Sequence, residues 1–319
     1  MPYPLAGQTA RPQAHRVVTV CHADHFSVEP LPWAEHEHQE PKPNMTICMG
    51  ALCQQDRPGD TIVLASDRMV TWMGLTEFEH TVPKAHEISP TALILVAGDT
   101  LTGARIARDT RAVLAGQTAP PASMDVIANM AATCYANLRQ EIAAAKFFAP
   151  RGLSIQQYYQ AQQQLNPQLV SMLDNALVTL DLEVELIVAG VDANGGHLHS
   201  VGNPGGWQQC HDPIGTIAVG SGAIHAIQGM IGYGHSATVP LQETVFHVFS
   251  SKRKAELAPG VGHDTDLMIL DGSGVVHVTK ETIRALDAIN DDVNAAQSTD
   301  LFAKVTKLSL DLSSDGGTS

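Results

Sequence analysis

The feature that most constrains this chain is the way strand-like segments come in pairs and bracket pairs of helix-like segments. Residues 46–52 and 61–66 read as strands joined through Arg57-Pro58-Gly59-Asp60, a stretch suited to a turn. Residues 84–88 and 92–97 form a second pair, broken at Ser89-Pro90, where the fixed φ and missing N–H of proline interrupt strand pairing. Two helical patterns follow, one over residues 101–115 and one starting near Ser123, in which Ile127, Met130, Ala131, Cys134, Leu138 and Ile142 fall on one face. Strands return at 185–191 and 197–201 around Asp192-Ala193-Asn194-Gly195-Gly196, and again at 216–219 before Gly220-Ser221-Gly222. Helices are expected over 223–233 and 241–257, then a last hairpin, 266–270 and 275–279, around Asp271-Gly272-Ser273-Gly274. This order lets two antiparallel sheets stack face to face while each outer face is covered by a helix pair. The expected fold class is α+β, a four-layer αββα sandwich.

The ends and one internal stretch stand apart from that pattern. Residues 1–45 are rich in Pro and His, carry Glu35-His36-Glu37-His38 and lack sustained periodicity, so they read as a propeptide or a misassigned upstream extension. Residues 146–184 cluster glutamines, in Gln156-Gln157 and Gln162-Gln163-Gln164, and read as a helical insertion. The working domain is therefore expected over 46–295, with 296–319 as a C-terminal tail.

Charge and cysteine content narrow the function classes. Nineteen Lys and Arg against 33 Asp and Glu leave a formal charge of −14, which repels polyanions, so neither nucleic acid nor an anionic membrane surface is an expected partner. The five cysteines are scattered, with no C-x-x-C pair, which fits a reducing, cytoplasmic setting. No apolar run approaches the roughly 20 residues that cross a bilayer, and the N-terminus lacks a continuous apolar segment of signal-peptide type.

Several short motifs then occur in a telling order: Met45-Thr46-Ile47-Cys48-Met49-Gly50, Leu64-Ala65-Ser66-Asp67-Arg68, Pro83-Lys84, Ala97-Gly98-Asp99 and Gly220-Ser221-Gly222-Ala223. Each is common alone, but their joint order in matching hairpin contexts is hard to obtain by chance. Over residues 45–290 the chain resembles the N-terminal-nucleophile hydrolases of the proteasome beta-subunit type, including bacterial proteasome homologues of the Anbu kind.

That resemblance implies a threonine peptidase whose nucleophile is Thr46. A freed N-terminal threonine carries its own base, because its α-amino group has a pKa of about 8 and is partly neutral at physiological pH. Thr46 is exposed either by removal of Met45 as an initiator or by self-cleavage between the two. Lys84 matches the lysine whose charge favours the alkoxide, and Asp67 the aspartate that orients it. Gly98 matches the residue whose N–H stabilises the oxyanion. Ser221 matches a serine near the threonine amine, with Gly222 allowing close backbone approach. By matching strands, Val70 and Val96 line the pocket for the residue before the scissile bond, which points to a medium apolar side chain such as leucine. The bland readings are a strand-opening threonine, a surface lysine, a turn aspartate, a helix-entry glycine and an N-cap serine.

Two departures from the family pattern stand out. Met69 occupies a position that is usually basic, and the loop Leu257-Ala258-Pro259-Gly260-Val261-Gly262-His263-Asp264 lacks the expected Asp and Ser before a double glycine, leaving Asp264 as the candidate substitute. The pairs His36/His38 and His197/His199 lack a third ligand, so no metal and no cofactor is expected. The sequon Asn44-Met45-Thr46 is incidental in a cytoplasmic chain. The resemblance further implies self-association into a ring, peptide or unfolded-protein substrates and an unfoldase partner. Two alternatives stay open: an inactive structural ring subunit that never frees Thr46, and an amidohydrolase of the same superfamily acting on small amides.

Overall fold

The computed structural model describes residues 46–57, 59–72, 76–119 and 123–306; the upstream segment read as a propeptide, and with it His36 and His38, lies outside them. Strands β1 (Cys48–Cys53) and β2 (Thr61–Asp67) form the first hairpin, followed by a short separate hairpin, β3 (Met69–Trp72) and β4 (Thr76–Glu79). Next come β5 (Ala85–Ser89) and β6 (Ala92–Gly98), then helices α1 (Thr100–Ala115) and α2 (Met124–Ala143). A helical excursion includes α3 (Ile155–Ala161) and α4 (Pro167–Thr179). Strands β7 (Val184–Asp192), β8 (Gly195–Val201), β9 (Gln209–Cys210) and β10 (Thr216–Val219) precede α5 (Ala223–Gly232) and α6 (Leu241–Ala255). The chain ends with β11 (Thr265–Asp271), β12 (Gly274–His277) and α7 (Lys280–Thr306). The expected segments recur as elements of the expected type, and the described residues form an α+β fold.

Two five-stranded sheets, in the orders β10-β1-β2-β11-β12 and β5-β6-β7-β8-β9, carry antiparallel ladders throughout. Their side chains sort by strand parity into three apolar clusters, as the two-residue repeat of a strand requires. Cys48, Leu52, Ile62, Leu64 and Met268 of the first sheet pack with Leu93, Leu95, Ile187 and Leu198 of the second. On its other face the first sheet presents Ile47, Met49, Val63 and Leu267 to Ala226, Met230, Val248 and Phe249 of α5 and α6. The second sheet turns Ile94, Val96, Leu186 and Val188 toward Ile106, Ile127, Ala131 and Tyr135 of α1 and α2.

Local chemistry sets the helix ends that matter for the site. The Asp99 carboxylate accepts the Thr102 N–H at 2.7 Å and caps α1 directly after β6. In α2 the buried Ile127, Ala131, Cys134, Tyr135 and Leu138 repeat every three or four residues, so the helix lays one stripe on the second sheet.

The hairpin β3–β4 and the helix α7 add to the expected order. The residues of β3 and β4 form strands of only four residues each, with no Asp-Gly or Gly-Ser-Gly turn signal of the kind that flags the equally short β10 and β12. Helix α7 runs through residue 296, where a tail had been expected to begin, and its Ile283 and Leu286 pack on the cluster under α6. The insertion carries a small core of its own, Phe148, Tyr158 and Leu173, and is tied to α2 by Arg139, which donates to the carbonyls of Leu177 at 2.6 Å and Leu180 at 3.0 Å. Among the described residues no helix is long and apolar enough to cross a membrane.

Candidate active site

Sheet register decides which of the candidate residues meet. The β1–β10 ladder pairs Cys48 with Val219, so continuing it by two residues sets Thr46 opposite Ser221. The Ser221 hydroxyl accepts the Thr46 N–H at 3.2 Å and donates to the Thr46 carbonyl at 3.3 Å, and the Gly222 N–H reaches the same carbonyl at 3.3 Å. Ser221 is thus engaged with Thr46, while the N-cap position of α5 falls on Gly222 with no side-chain cap. Gly220 makes this approach possible: its φ of 94° suits glycine, and a Cβ there would lie 2.5 Å from the Thr46 carbonyl oxygen.

The β1–β2 ladder, which pairs Cys48 with Ser66, brings Asp67 opposite Ile47, and the Asp67 N–H bonds the Ile47 carbonyl at 3.2 Å. The Asp67 carboxylate is saturated with donors. Its Oδ1 accepts the Thr46 hydroxyl at 2.6 Å, the Ile47 N–H at 3.0 Å and the Lys84 ammonium at 2.5 Å. Its Oδ2 accepts the N–H groups of Met69 at 3.2 Å and Gly262 at 2.9 Å.

Lys84 arrives from the other sheet. It precedes β5, its carbonyl accepts the Val96 N–H at 2.9 Å, and its ammonium donates to both Thr46 Oγ1 and Asp67 Oδ1. Thr46, Asp67 and Lys84 are 3%, 0% and 4% exposed, so one buried ion pair shares a single hydroxyl between an anion and a cation. Such a pair holds its geometry because either charge left alone in the interior costs several kcal/mol. The ammonium against the hydroxyl oxygen stabilises negative charge developing on Oγ1, and the carboxylate holds that ammonium in place. Cys48 is no rival nucleophile: burial pushes its thiol to about 12, and its Sγ lies 3.4 Å from the Val96 carbonyl oxygen.

The remaining expected residues fall around this cluster in different ways. Gly98 closes β6 with φ 95°, paired with Val184 across the ladder, two residues beyond the Val96 that bonds the Lys84 carbonyl. Val70 is half-buried in β3 opposite Phe78. Val96 is 2% exposed, and its side chain sits in the core under α1, where Gly103 leaves room for its methyls. It therefore lends the site its backbone, and a pocket wall at that place is not formed by its side chain. Asp264 is exposed, with its N–H on the Glu79 carboxylate at 2.8 Å, while the loop's contact with Asp67 comes from the Gly262 N–H. His197 is bound by Asp212 at 2.6 Å and Asp192 at 3.0 Å, and among the described residues no group of three or more His, Cys, Asp or Glu side chains is placed to hold a metal.

Four contributors escaped the sequence reading. Met69 and Gly262 act through backbone N–H groups, which carry no residue-type signature. Glu185 accepts the Gly220 N–H at 2.9 Å, and Lys252 is a fully buried lysine behind the 257–264 loop. The sequence signal for Glu185 is a carboxylate on the parity of Ile187 and Ala189, the inter-sheet side of an otherwise apolar strand. Beside Gly220 there is also a cavity of about 320 Å³ lined by Asp181, Glu183, Glu185, Trp207 and Val219 among others. The Glu183 carbonyl accepts the Asp99 N–H at 2.9 Å, so the end of the insertion reaches the margin of the site. No protein-family model matches the chain, and no curated protein matches it.

Proposed function

We propose that this chain is an N-terminal-nucleophile hydrolase of the proteasome beta-subunit type, a threonine peptidase working from a freed Thr46. One observation carries the reading: the Thr46 hydroxyl is held between Asp67 and Lys84 while its main-chain nitrogen is held by Ser221. A hydroxyl so placed needs only a base, and a free α-amine at that nitrogen supplies it. The packing order of helix pair, sheet, sheet and helix pair supports the αββα sandwich of that superfamily.

In the proposed reaction the Thr46 hydroxyl proton passes to the neutral α-amine as Oγ1 bonds the substrate carbonyl carbon. Lys84 and the buried dipoles around it lower the energy of the alkoxide, and the Gly98 N–H receives the carbonyl oxygen as it becomes negative. The ammonium formed then gives its proton to the departing amine, leaving an ester on Thr46. Water, deprotonated by the same amine, attacks the ester, the second product leaves as a carboxylic acid, and the threonine is restored. The site residues carry this chemistry without a cofactor. The assembly is a homo-oligomeric ring in a reducing, cytoplasmic compartment, taking peptides or unfolded chains, from an unfoldase where the substrate is a folded protein.

The test combines N-terminal sequencing, native mass and peptide hydrolysis by the wild type and by Thr46→Ala. The expected result is a chain beginning at Thr46, a ring-sized particle and hydrolysis that Thr46→Ala abolishes with the fold intact. Activity in a homogeneous sample still carrying Met1 would refute the nucleophile assignment. An assembled, inactive particle with the extension attached makes the chain a structural ring subunit, and a monomer or dimer cleaving only small amides makes it an amidohydrolase.

A further inference from the structure

Behind the loop of residues 257–264 lies a charged side chain that the proposed reaction does not use. Lys252, in the last turn of α6, is 0% exposed, and burial holds its pKa below the ordinary lysine range against the opposing pull of Glu256. Its ammonium has three N–H donors and meets three acceptors: the Gly262 carbonyl at 2.7 Å, the His263 carbonyl at 3.0 Å and Glu256 Oε1 at 2.7 Å. No donor is left over, so the group is a fixed point charge and not a snorkelling surface lysine.

The two carbonyls belong to the segment that supports the nucleophile's carboxylate. The Gly262 N–H bonds Asp67 Oδ2 at 2.9 Å, and Asp67 Oδ1 in turn bonds Thr46 and Lys84. Arg253 reinforces the anchor by donating to the His263 carbonyl at 2.8 Å and to Glu256 at 2.7 Å, while His263 Nδ1 meets Glu256 Oε2 at 2.7 Å. From the far side, Glu79 accepts the Asp264 N–H at 2.8 Å. The segment between Gly262 and Asp264 is thus pinned from α6 and from β4, and among the described residues its hydrogen bond toward the candidate active site is the one from Gly262.

We propose that Lys252 is a positioning residue for Asp67: by gripping the carbonyls of Gly262 and His263 it aims the Gly262 N–H at the carboxylate that orients Lys84 and Thr46. The idea deepens the threonine-peptidase reading and, for its effect on turnover, rests on it. The sequence around Lys252, Lys252-Arg253-Lys254, looks like the solvated basic end of a helix; burial of its first member is what marks a different task. Without Lys252 the loop loses two hydrogen bonds, those at the Gly262 and His263 carbonyls, Asp67 loses the hold on one of its two Oδ2 donors, and the carboxylate gains freedom to turn away from Thr46.

Two readouts on the full chain test this, one dependent on catalysis and one not. In Lys252→Met, peptide turnover per folded subunit falls about 10- to 100-fold in kcat while KM stays within about twofold, because substrate contacts are untouched and only the geometry of the reacting group is lost. In the same variant the Gly262 amide exchanges with solvent at least about tenfold faster than in the wild type, because the N–H is no longer held against the Asp67 carboxylate. Lys252→Gln, which keeps N–H donors for the two carbonyls, recovers part of both losses, and it also serves as the readable variant should Lys252→Met fail to fold. A folded variant with wild-type kcat, or with Gly262 as protected as in the wild type, overturns the proposal. A wild type that hydrolyses nothing defeats the peptidase reading instead, and the Gly262 exchange then still decides whether Lys252 positions Asp67.

Discussion

Ser221 and Thr46 lie 175 residues apart in sequence and exchange two hydrogen bonds, the serine hydroxyl accepting from the threonine N–H and donating to the threonine carbonyl. The contact is a consequence of strand register between β1 and β10, and it holds a main-chain nitrogen, not a side chain.

Ser221→Ala therefore leaves the fold in place and removes the polar partner of the nitrogen that would become the catalytic amine. On the proposed mechanism kcat/KM falls by about 10- to 100-fold, with the change concentrated in kcat. Steady-state kinetics on a small fluorogenic peptide check this, and an unchanged kcat removes Ser221 from the catalytic group.

Gly220→Ala is the harsher change at the same loop. The methyl group needs a left-handed backbone and would stand 2.5 Å from the Thr46 carbonyl oxygen, so the loop must move away from Thr46. Loss of nearly all turnover together with a destabilisation of about 1–3 kcal/mol is expected, measured by peptide hydrolysis and denaturant unfolding.

Lys84 and Asp67 form one buried pair around one hydroxyl, so their losses do not add. Lys84→Met and Asp67→Asn each reduce kcat/KM by on the order of 10³-fold, and the double variant loses little more than the worse single one. Each single variant also strands a buried group and is less stable by about 3–5 kcal/mol. Strictly additive losses in the double-mutant cycle contradict the coupling.

His197 makes the stability of the β7–β8 hairpin depend on alkaline pH. Hydrogen bonding to Asp212, with Asp192 adding to it, raises its pKa from 6.5 to about 9. A raised folded-state pKa means that the contribution is complete below the unfolded value near 6.5 and disappears as pH climbs through about 9. After allowance for its partial exposure the contribution is on the order of 2 kcal/mol. Thermal unfolding of the wild type and His197→Gln at intervals from acid to alkaline pH checks this: the wild type leads at pH 6, and the gap narrows toward pH 10. A gap independent of pH assigns His197 a packing role only.

Replacing residues 150–170 of the insertion with a short Gly/Ser linker spares Asp181 and Glu183 at the site margin. Small-peptide turnover per assembled subunit should survive, because Phe148, Tyr158 and Leu173 close a core separate from the three main clusters. Loss of turnover in assembled particles with Thr46 free would place the insertion in the active site.

Most of the element order was legible because it depends on local periodicity and turn chemistry. The pairs around Asp192-Ala193-Asn194-Gly195-Gly196 and Asp271-Gly272-Ser273-Gly274 became the hairpins β7–β8 and β11–β12, whose turn residues announce them. The short β3–β4 hairpin was not legible, since its four-residue strands carry few alternations and, unlike β10 and β12, have no Gly-Ser-Gly or Asp-Gly turn beside them to announce them. Helix α7 was missed because its apolar face is weak and gains its partners, through Ile283 and Leu286, only when α6 is already in place.

By itself, then, the sequence determined most of the strand and helix segments, the acidic balance and the residue types Thr46, Asp67, Lys84 and Ser221, each a property of one position or a short window. Tertiary structure alone decided that these four meet, since two ladder registers on either side of β1 and a lysine delivered from the second sheet set the distances. It also decided that Val96 faces α1 and that Gly262, not Asp264, supplies the loop's contact to Asp67. The physical reason is the same in both cases: side-chain direction follows strand parity and a backbone N–H has no residue-specific signature, so neither is written in residue identity until packing of the two sheets settles which way each group points.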